Sequence, residues 1–298
     1  FGSAGLRQRA RLVRRWIVES RVLLAELRAG RQPIYIDYPP KCLPRYGYGR
    51  PVHVGLQERM AADIPSYERV LSVVQRYVDD LRAIESQPPR SPLEPFWNNG
   101  WFGSLNAASL YAFLRANAPR LYVEVGSGNS TKFARRAIRD GALSTRIVSI
   151  DPAPRAEIDE LCDSVLRTPL EEADLAVFRQ LGAGDVVVID NSHRCLQNSD
   201  VTVFFLEILP VLPAGVLVYI DDVFLPDDYP LQWADRYYSE QYVLAAVLLT
   251  DQRRISIELP CTFAQREPRL AKVIANLWAS IGIPAPAGFV KGIWLRTN

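Results

Sequence analysis

Cysteine is sparse in this chain of 298 residues: Cys42, Cys162, Cys195 and Cys261 stand far apart, with no CxxC pair and no metal-type spacing. That excludes a zinc ribbon and a disulfide framework, and reduced thiols in a cytoplasmic protein are the simpler expectation. Long apolar runs are missing as well. No stretch reaches the roughly 18 residues of a membrane helix, so no transmembrane segment is expected. Excess charge is missing too, the net balance being +2, which argues against a surface built throughout for nucleic acid. Histidine is limited to His53 and His193, and there is no internal repeat or low-complexity tract.

What positive charge there is lies at one end. Eight arginines fall between Arg7 and Arg31 against Glu19 and Glu26, while Leu12, Trp16, Leu23 and Leu27 recur at helical spacing. This predicts an amphipathic helix over Leu6 to Ala29 with a solvated basic face, an interfacial membrane helix or a dimer contact being the rival readings. From Gln32 to Val54 proline, tyrosine, glycine and arginine dominate, too rich in proline for regular structure and suited to a lid or binding loop. A helix is expected from Ser66 to about Ile84, begun by Pro65 and ended before Pro88-Pro89. Residues 1–90 therefore read as an extension and 91–298 as the main domain.

In that main domain an aromatic loop with Trp97, Trp101 and Phe102 leads into a helix from about Asn106 to Arg115, and strand and helix patterns then alternate. The fold class is α/β: a Rossmann-like, doubly wound, mostly parallel sheet of seven strands. The strands are placed at Leu121–Val125, Arg146–Ile150, Ser164–Leu166, Asp185–Ile189 and Val216–Ile220, with two more near Arg254–Glu258 and Gly292–Arg296 after a long helix over Trp233–Leu249.

The most informative stretch is LYVEVGSGNST, Leu121 to Thr131. Strand, glycine turn and helix are how an α/β sheet makes a cofactor site. Gly126 and Gly128 lack a Cβ and let backbone approach a ligand, Ser127 lies between them, and the amides of Asn129, Ser130 and Thr131 open the next helix as an anion-friendly end. A dinucleotide fingerprint needs a third glycine where Thr131 stands, which weighs against a nicotinamide dehydrogenase. Glu124 sets a carboxylate at the strand end, where it repels a pyrophosphate and suits a cationic ligand. S-adenosylmethionine, a sulfonium carrying an α-amino acid, meets that description. The plainer alternative is a tight β-to-α turn with no ligand.

Strand two ends in Ile150-Asp151-Pro152, where an acid is positioned to accept hydrogen bonds from ribose hydroxyls. Strand four ends in Ile189-Asp190-Asn191-Ser192-His193 and strand five in Ile220-Asp221-Asp222. Strands one, four and five are neighbours in such a sheet, so Asp190, Asp221 and Asp222 should converge. Crowded carboxylates repel unless a cation joins them, and oxygen ligands without cysteine suit Mg²⁺, or Ca²⁺ or Mn²⁺. The rival reading makes them helix caps. His193, three residues beyond Asp190, is placed to act as general base toward a hydroxyl.

Together VEVGSGNST, SIDP, VVIDNSH and VYIDDVFLPDDYP resemble class I S-adenosylmethionine-dependent methyltransferases, in particular the metal-dependent O-methyltransferases of sugars and natural products, over about Phe96 to Arg296. The resemblance implies that Glu124, Gly126, Ser127 and Gly128 cradle the methionine end and that Asp151 binds ribose. It also implies that Asp190, Asp221 and Asp222 hold Mg²⁺ and that His193 acts as base. The chain departs from the pattern in having DNSH for DGSH and Asp221 where many relatives carry His or Glu. A small-molecule or saccharide acceptor is implied, and a homo-oligomer is compatible with the extension. The rivals are an RNA methyltransferase gripping phosphates with its arginine-rich helix, and a non-catalytic scaffold that keeps the cofactor.

Overall fold

The computed structural model describes residues 20–28, 34, 36–250, 253–283 and 290–298. The chain divides after Lys41 into two units, Phe1–Lys41 and Cys42–Asn298. In the first, residues 20–28 form helix α1; the rest of the expected basic helix lies outside the described residues.

The second unit begins with α2 (Val54–Ala61), α3 (Ile64–Gln75), α4 (Val78–Arg82) and α5 (Ser104–Asn117). Residues 42–53 contain no helix or strand, as their prolines require. The helix expected over Ser66–Ile84 is two helices. Tyr77 leaves helical geometry (φ −108°, ψ 19°) as its ring docks 6.2 Å from that of Tyr111 and under the Arg115 guanidinium. Helix α2 was not expected; its start is set by His53, whose ring Nδ1 accepts the Leu56 amide at 3.3 Å. Leu56, Met60, Tyr67, Leu71 and Leu81 from α2 to α4 are buried in the same core as the sheet, so within this unit no boundary falls at residue 90.

The sheet then assembles from β1 (Leu121–Val125), β2 (Arg146–Ile150), β3 (Ser164–Leu166), β4 (Val186–Ile189), β5 (Leu217–Ile220), β6 (Ile255–Pro260) and β7 (Ile293–Thr297). Its order is β3-β2-β1-β4-β5-β7-β6, parallel except for β7, which runs antiparallel to β5 and β6. Between the strands lie α6 (Asn129–Asp140), α7 (Asp200–Val203), α8 (Glu240–Thr250), α9 (Cys261–Arg266) and α10 (Pro268–Ile281). Strands β1, β4 and β5 are buried along their whole length, which is why they read as unbroken apolar runs rather than alternating ones.

Register decides what meets at the carboxyl edge. Val125 pairs with Ile150 and Ile189, and Ile189 with Ile220. The next residues, Asp151, Gly126, Asp190 and Asp221, therefore form one row across the sheet, at the switch point where ligands bind in such folds. Because β7 is antiparallel and Ile293 pairs with Ile220, the residues before β7 arrive at that same edge.

Candidate active site

A cavity of about 1210 Å³ opens over this row. Gly126, at φ +78°, turns the chain here, and a Cβ would run into the carbonyl oxygen of Asp190 just after β4, so only glycine fits between the two strand ends. A Cβ on Gly128 would meet open space, which leaves the backbone bare toward the cavity. Ser127, Asn129, Asp151 and Asp190 also line it. Asp151 is oriented by backbone, its Oδ2 accepting from the Ser127 amide at 2.7 Å and its Oδ1 from the Ala153 amide at 2.8 Å.

Glu124, Ser130 and Thr131 do not reach the cavity, contrary to expectation. Glu124 is fully buried inside β1, where its oxygens accept from the hydroxyls of Tyr122, at 2.8 Å, and of Thr131. Thr131 in turn accepts the Gly128 amide at 3.1 Å. The reason is strand alternation: Glu124 points into the layer beneath α6, so it braces the glycine turn from behind. Burial pushes its carboxyl up to about 7, against the lowering effect of its hydroxyl donors.

The acids at the ends of β4 and β5 are linked by bases. His193 Nε2 lies 3.3 Å from Asp190 Oδ1 and 3.4 Å from Asp222 Oδ2, and its Nδ1 lies 2.9 Å from Glu240 Oε2. The Lys291 ammonium lies 3.3 Å from Asp221 Oδ2 and pairs with Asp222 Oδ1. The sequence Asp221, Lys291, Asp222, His193, Asp190 thus alternates in charge. Both His193 (φ 58°) and Asp222 (φ 53°) adopt left-handed backbone, strain of the kind that surroundings hold in place at functional sites.

Burial opposes charge on His193, but its bonds to Asp190 and Glu240 and the field of Asp222 outweigh it, holding the imidazolium well beyond its ordinary pH range. Burial likewise opposes the Lys291 ammonium, and the charges of Asp221, Asp222 and Asp190 prevail. Asp221 is pushed up to about 7, chiefly by burial, with Lys291 opposing. Burial would raise Asp190 also, yet His193 and Lys291 hold it below the usual carboxylate range.

The expected metal centre does not form: among the described residues no group of three or more His, Cys, Asp or Glu side chains is arranged to hold an ion. Asp221 Oδ1 is taken by the Tyr219 hydroxyl at 2.7 Å and Asn106 Nδ2 at 3.1 Å, and its Oδ2 faces Lys291. The donor set of Asp190, Asp221 and Asp222 therefore does not fit Mg²⁺, which demands oxygens in near-ideal octahedral array.

The residues do fit S-adenosylmethionine. Four carboxylates against two cationic groups leave the cluster on the cavity wall acidic, which favours a cationic group such as a sulfonium. Two buried polar atoms without a hydrogen-bond partner, Trp97 Nε1 and Asn106 Oδ1, belong to residues of the cavity wall. A volume above that of a drug-sized site leaves room for an acceptor. Trp101, 58% exposed, and Trp233, Arg236 and Tyr238 form the outer wall, with the Arg236 guanidinium 3.8 Å above Trp233. Phe224 and Tyr229 stand behind Trp233 and Tyr238 and are core.

Lys291, Glu240, Asn106 and the Trp233–Tyr238 wall were not found by reading the sequence. Lys291 precedes rather than follows its strand, and Glu240 looks like an ordinary first-turn acid of α8. The helix expected over Trp233–Leu249 is instead a 3-10 turn, Leu231–Arg236, then left-handed Tyr237, then α8. The break is made by docking: the Ser239 and Glu240 amides both donate to the His193 carbonyl, at 2.8 and 3.2 Å.

Residues 123–223 match a family model described as a methyltransferase domain. No curated protein matches the chain. Among solved structures the chain is similar to the SAH-bound methyltransferase PaMTH1 of Podospora anserina, at 16% identity over 85% of this chain and 99% of that one, TM-score 0.41. It is similar to a putative O-methyltransferase of Klebsiella pneumoniae, at 13% over 82% and 96%, TM-score 0.38. A third is the O-methyltransferase of Bacillus cereus in complex with SAH, at 17% over 81% and 96%, TM-score 0.36. The matched segment runs from within β1 to just past β5, the part of the doubly wound sheet that carries the glycine turn and the acids of the cleft, and over these residues the chain matches a methyltransferase domain.

Proposed function

We propose that the chain methylates a hydroxyl oxygen of a small polar acceptor, a saccharide or a hydroxylated natural product, lying between Trp101 and the Trp233–Arg236–Tyr238 wall. The observation that carries this reading is the pair Asp190 and His193, 3.3 Å apart on the cavity wall beside the glycine turn. When bound, S-adenosylmethionine supplies an electrophilic methyl on sulfur. Gly126 and Gly128 let the backbone close on it, and Asp151 offers its remaining lone pairs to the ribose hydroxyls. Asp190, Asp222 and Glu240 favour the cationic sulfonium and orient the His193 ring. The acceptor's proton passes to the Asp190–His193 pair as the oxygen attacks, and the ring must first have shed the proton that its three carboxylates hold. Trp101 and Trp233 exclude water and stack on the acceptor, and holding the acceptor against the methyl donor would supply much of the rate.

The test is calorimetric titration with S-adenosylhomocysteine, followed by a screen of saccharides and hydroxylated aromatics for its release from S-adenosylmethionine. Asp151→Ala should weaken binding at least about tenfold, or ~1.4 kcal/mol. His193→Gln should bind it as the unaltered chain does and lose turnover about 100-fold or more. Absence of S-adenosylhomocysteine binding would sink the reading. Turnover untouched in His193→Gln would remove His193 from the proton transfer.

A further inference from the structure

We propose that Lys291 is the resident cation of the acidic cluster, its ammonium standing where a divalent metal would have to sit and fixing Asp221 and Asp222 so that the site takes no metal. Five of the six carboxylate oxygens already face a donor from the protein. Asp221 Oδ1 receives Tyr219 and Asn106, Asp221 Oδ2 and Asp222 Oδ1 face the ammonium, and Asp222 Oδ2 and Asp190 Oδ1 face His193. A metal entering between these acids would meet the charged nitrogen of Lys291, whose side chain is only 15% exposed and could move aside only by leaving both carboxylate partners.

The backbone is shaped to deliver this lysine. Gly292 sits at φ +98°, and a Cβ there would collide with the Tyr219 hydroxyl, so the chain passes tightly over the tyrosine that also binds Asp221. Its amide donates to the Val223 carbonyl at 2.7 Å, and its carbonyl accepts from Cys261 at 3.1 Å. The Lys291 carbonyl accepts from Tyr219 at 3.4 Å. One hydroxyl thus ties together the acid, the lysine's own backbone and β5. On its far side the ammonium stands 5.4 Å from the centre of the Trp233 ring, on the cavity wall. Resting on the methyl-transfer reading, this gives Lys291 a second consequence: a fixed positive charge beside the acceptor oxygen as it loses its proton, the service a metal gives elsewhere.

Titration of the full chain with Mn²⁺, followed by electron paramagnetic resonance, separates this from the cofactor reading. The unaltered chain should leave the free-ion signal undiminished to about 1 mM Mn²⁺, the weak end of oxygen-ligand sites. Lys291→Met, which keeps the stem and removes the charge, should gain a site at least about tenfold tighter. Lys291→Arg, keeping the charge, should gain none. Circular dichroism and S-adenosylhomocysteine calorimetry in excess chelator accompany each variant; binding of the nucleoside there reports on the methyltransferase reading alone. Mn²⁺ bound by the unaltered chain and lost in Asp221→Asn would overturn the proposal, as would a folded Lys291→Met that gains no ion.

Discussion

At the scale of single residues, the cleft is governed by which carboxylates are allowed to be charged. His193 has a folded pKa raised above its ordinary 6.5. Its contribution to stability is therefore complete below the unfolded value and lost as pH rises through the folded one. The same rise frees the ring to accept a proton, so turnover should climb from neutral toward alkaline pH while the melting temperature falls. His193→Gln should flatten both profiles, and a profile for turnover that peaks below pH 6.5 would contradict the assignment. Glu124 is the second such group, its carboxyl raised from 4.5 to about 7 with burial the first cause. Below 4.5 both states are protonated and the burial has no charge cost; above 7 the folded state carries an anion in the core. Glu124→Gln should then be close to neutral for stability at pH 5 and stabilising by ~2 kcal/mol at pH 8, read from urea midpoints at the two values.

At the scale of elements, two joints hold the site. The first is the β1 to α6 turn, where Gly126 passes under the Asp190 carbonyl. Gly126→Ala must push β4 away or distort the turn, and the expected result is a loss of ~2 kcal/mol or more together with S-adenosylhomocysteine binding, measured by thermal unfolding and calorimetry. The second is Asp228, whose Oδ2 accepts the amides of Arg45 and Tyr46, the latter at 3.0 Å, and whose Oδ1 accepts the Tyr242 hydroxyl at 3.1 Å. It fastens the proline-rich segment to α8. Asp228→Ala should speed limited proteolysis within residues 42–51 severalfold while leaving the far-ultraviolet spectrum unchanged; unchanged cleavage would show that proline stiffness alone holds the segment.

At the scale of the whole molecule, the cleft joins the parallel and antiparallel parts of the compact unit's sheet: β1 and β4 on one side, the last strand and its lysine on the other. A ligand spanning them should stabilise the fold as one body. S-adenosylhomocysteine at about 100 times its Kd is expected to add ~2.7 kcal/mol, seen as a single shifted transition in scanning calorimetry. Two separated transitions would show that the parallel and antiparallel parts of the sheet melt apart. No helix among the described residues is long and apolar enough to cross a membrane, in keeping with the lack of long apolar runs.

The parallel strands were legible in the sequence almost to the residue, because a strand buried on both faces must be a short apolar run, and glycine or aspartate marks where it leaves the core. β1, β2 and β3 fall where LYVEV, RIVSI and SVL predict them. Gly126, Ser127, Gly128, Asn129, Asp151, Asp190 and His193 were legible as a group for the same reason, since residues after parallel strands share one edge. What only tertiary structure decided is what lies opposite them. The antiparallel run of β7 brings Lys291 to that edge from the wrong end of a strand, and docking of α8 against the His193 carbonyl aims Glu240 inward. Strand alternation turns Glu124 away from the ligand it was expected to meet. A run of carboxylates in sequence asks for a cation; whether that cation is a metal or the chain's own ammonium depends on a contact between residues 69 positions apart, which no local pattern encodes.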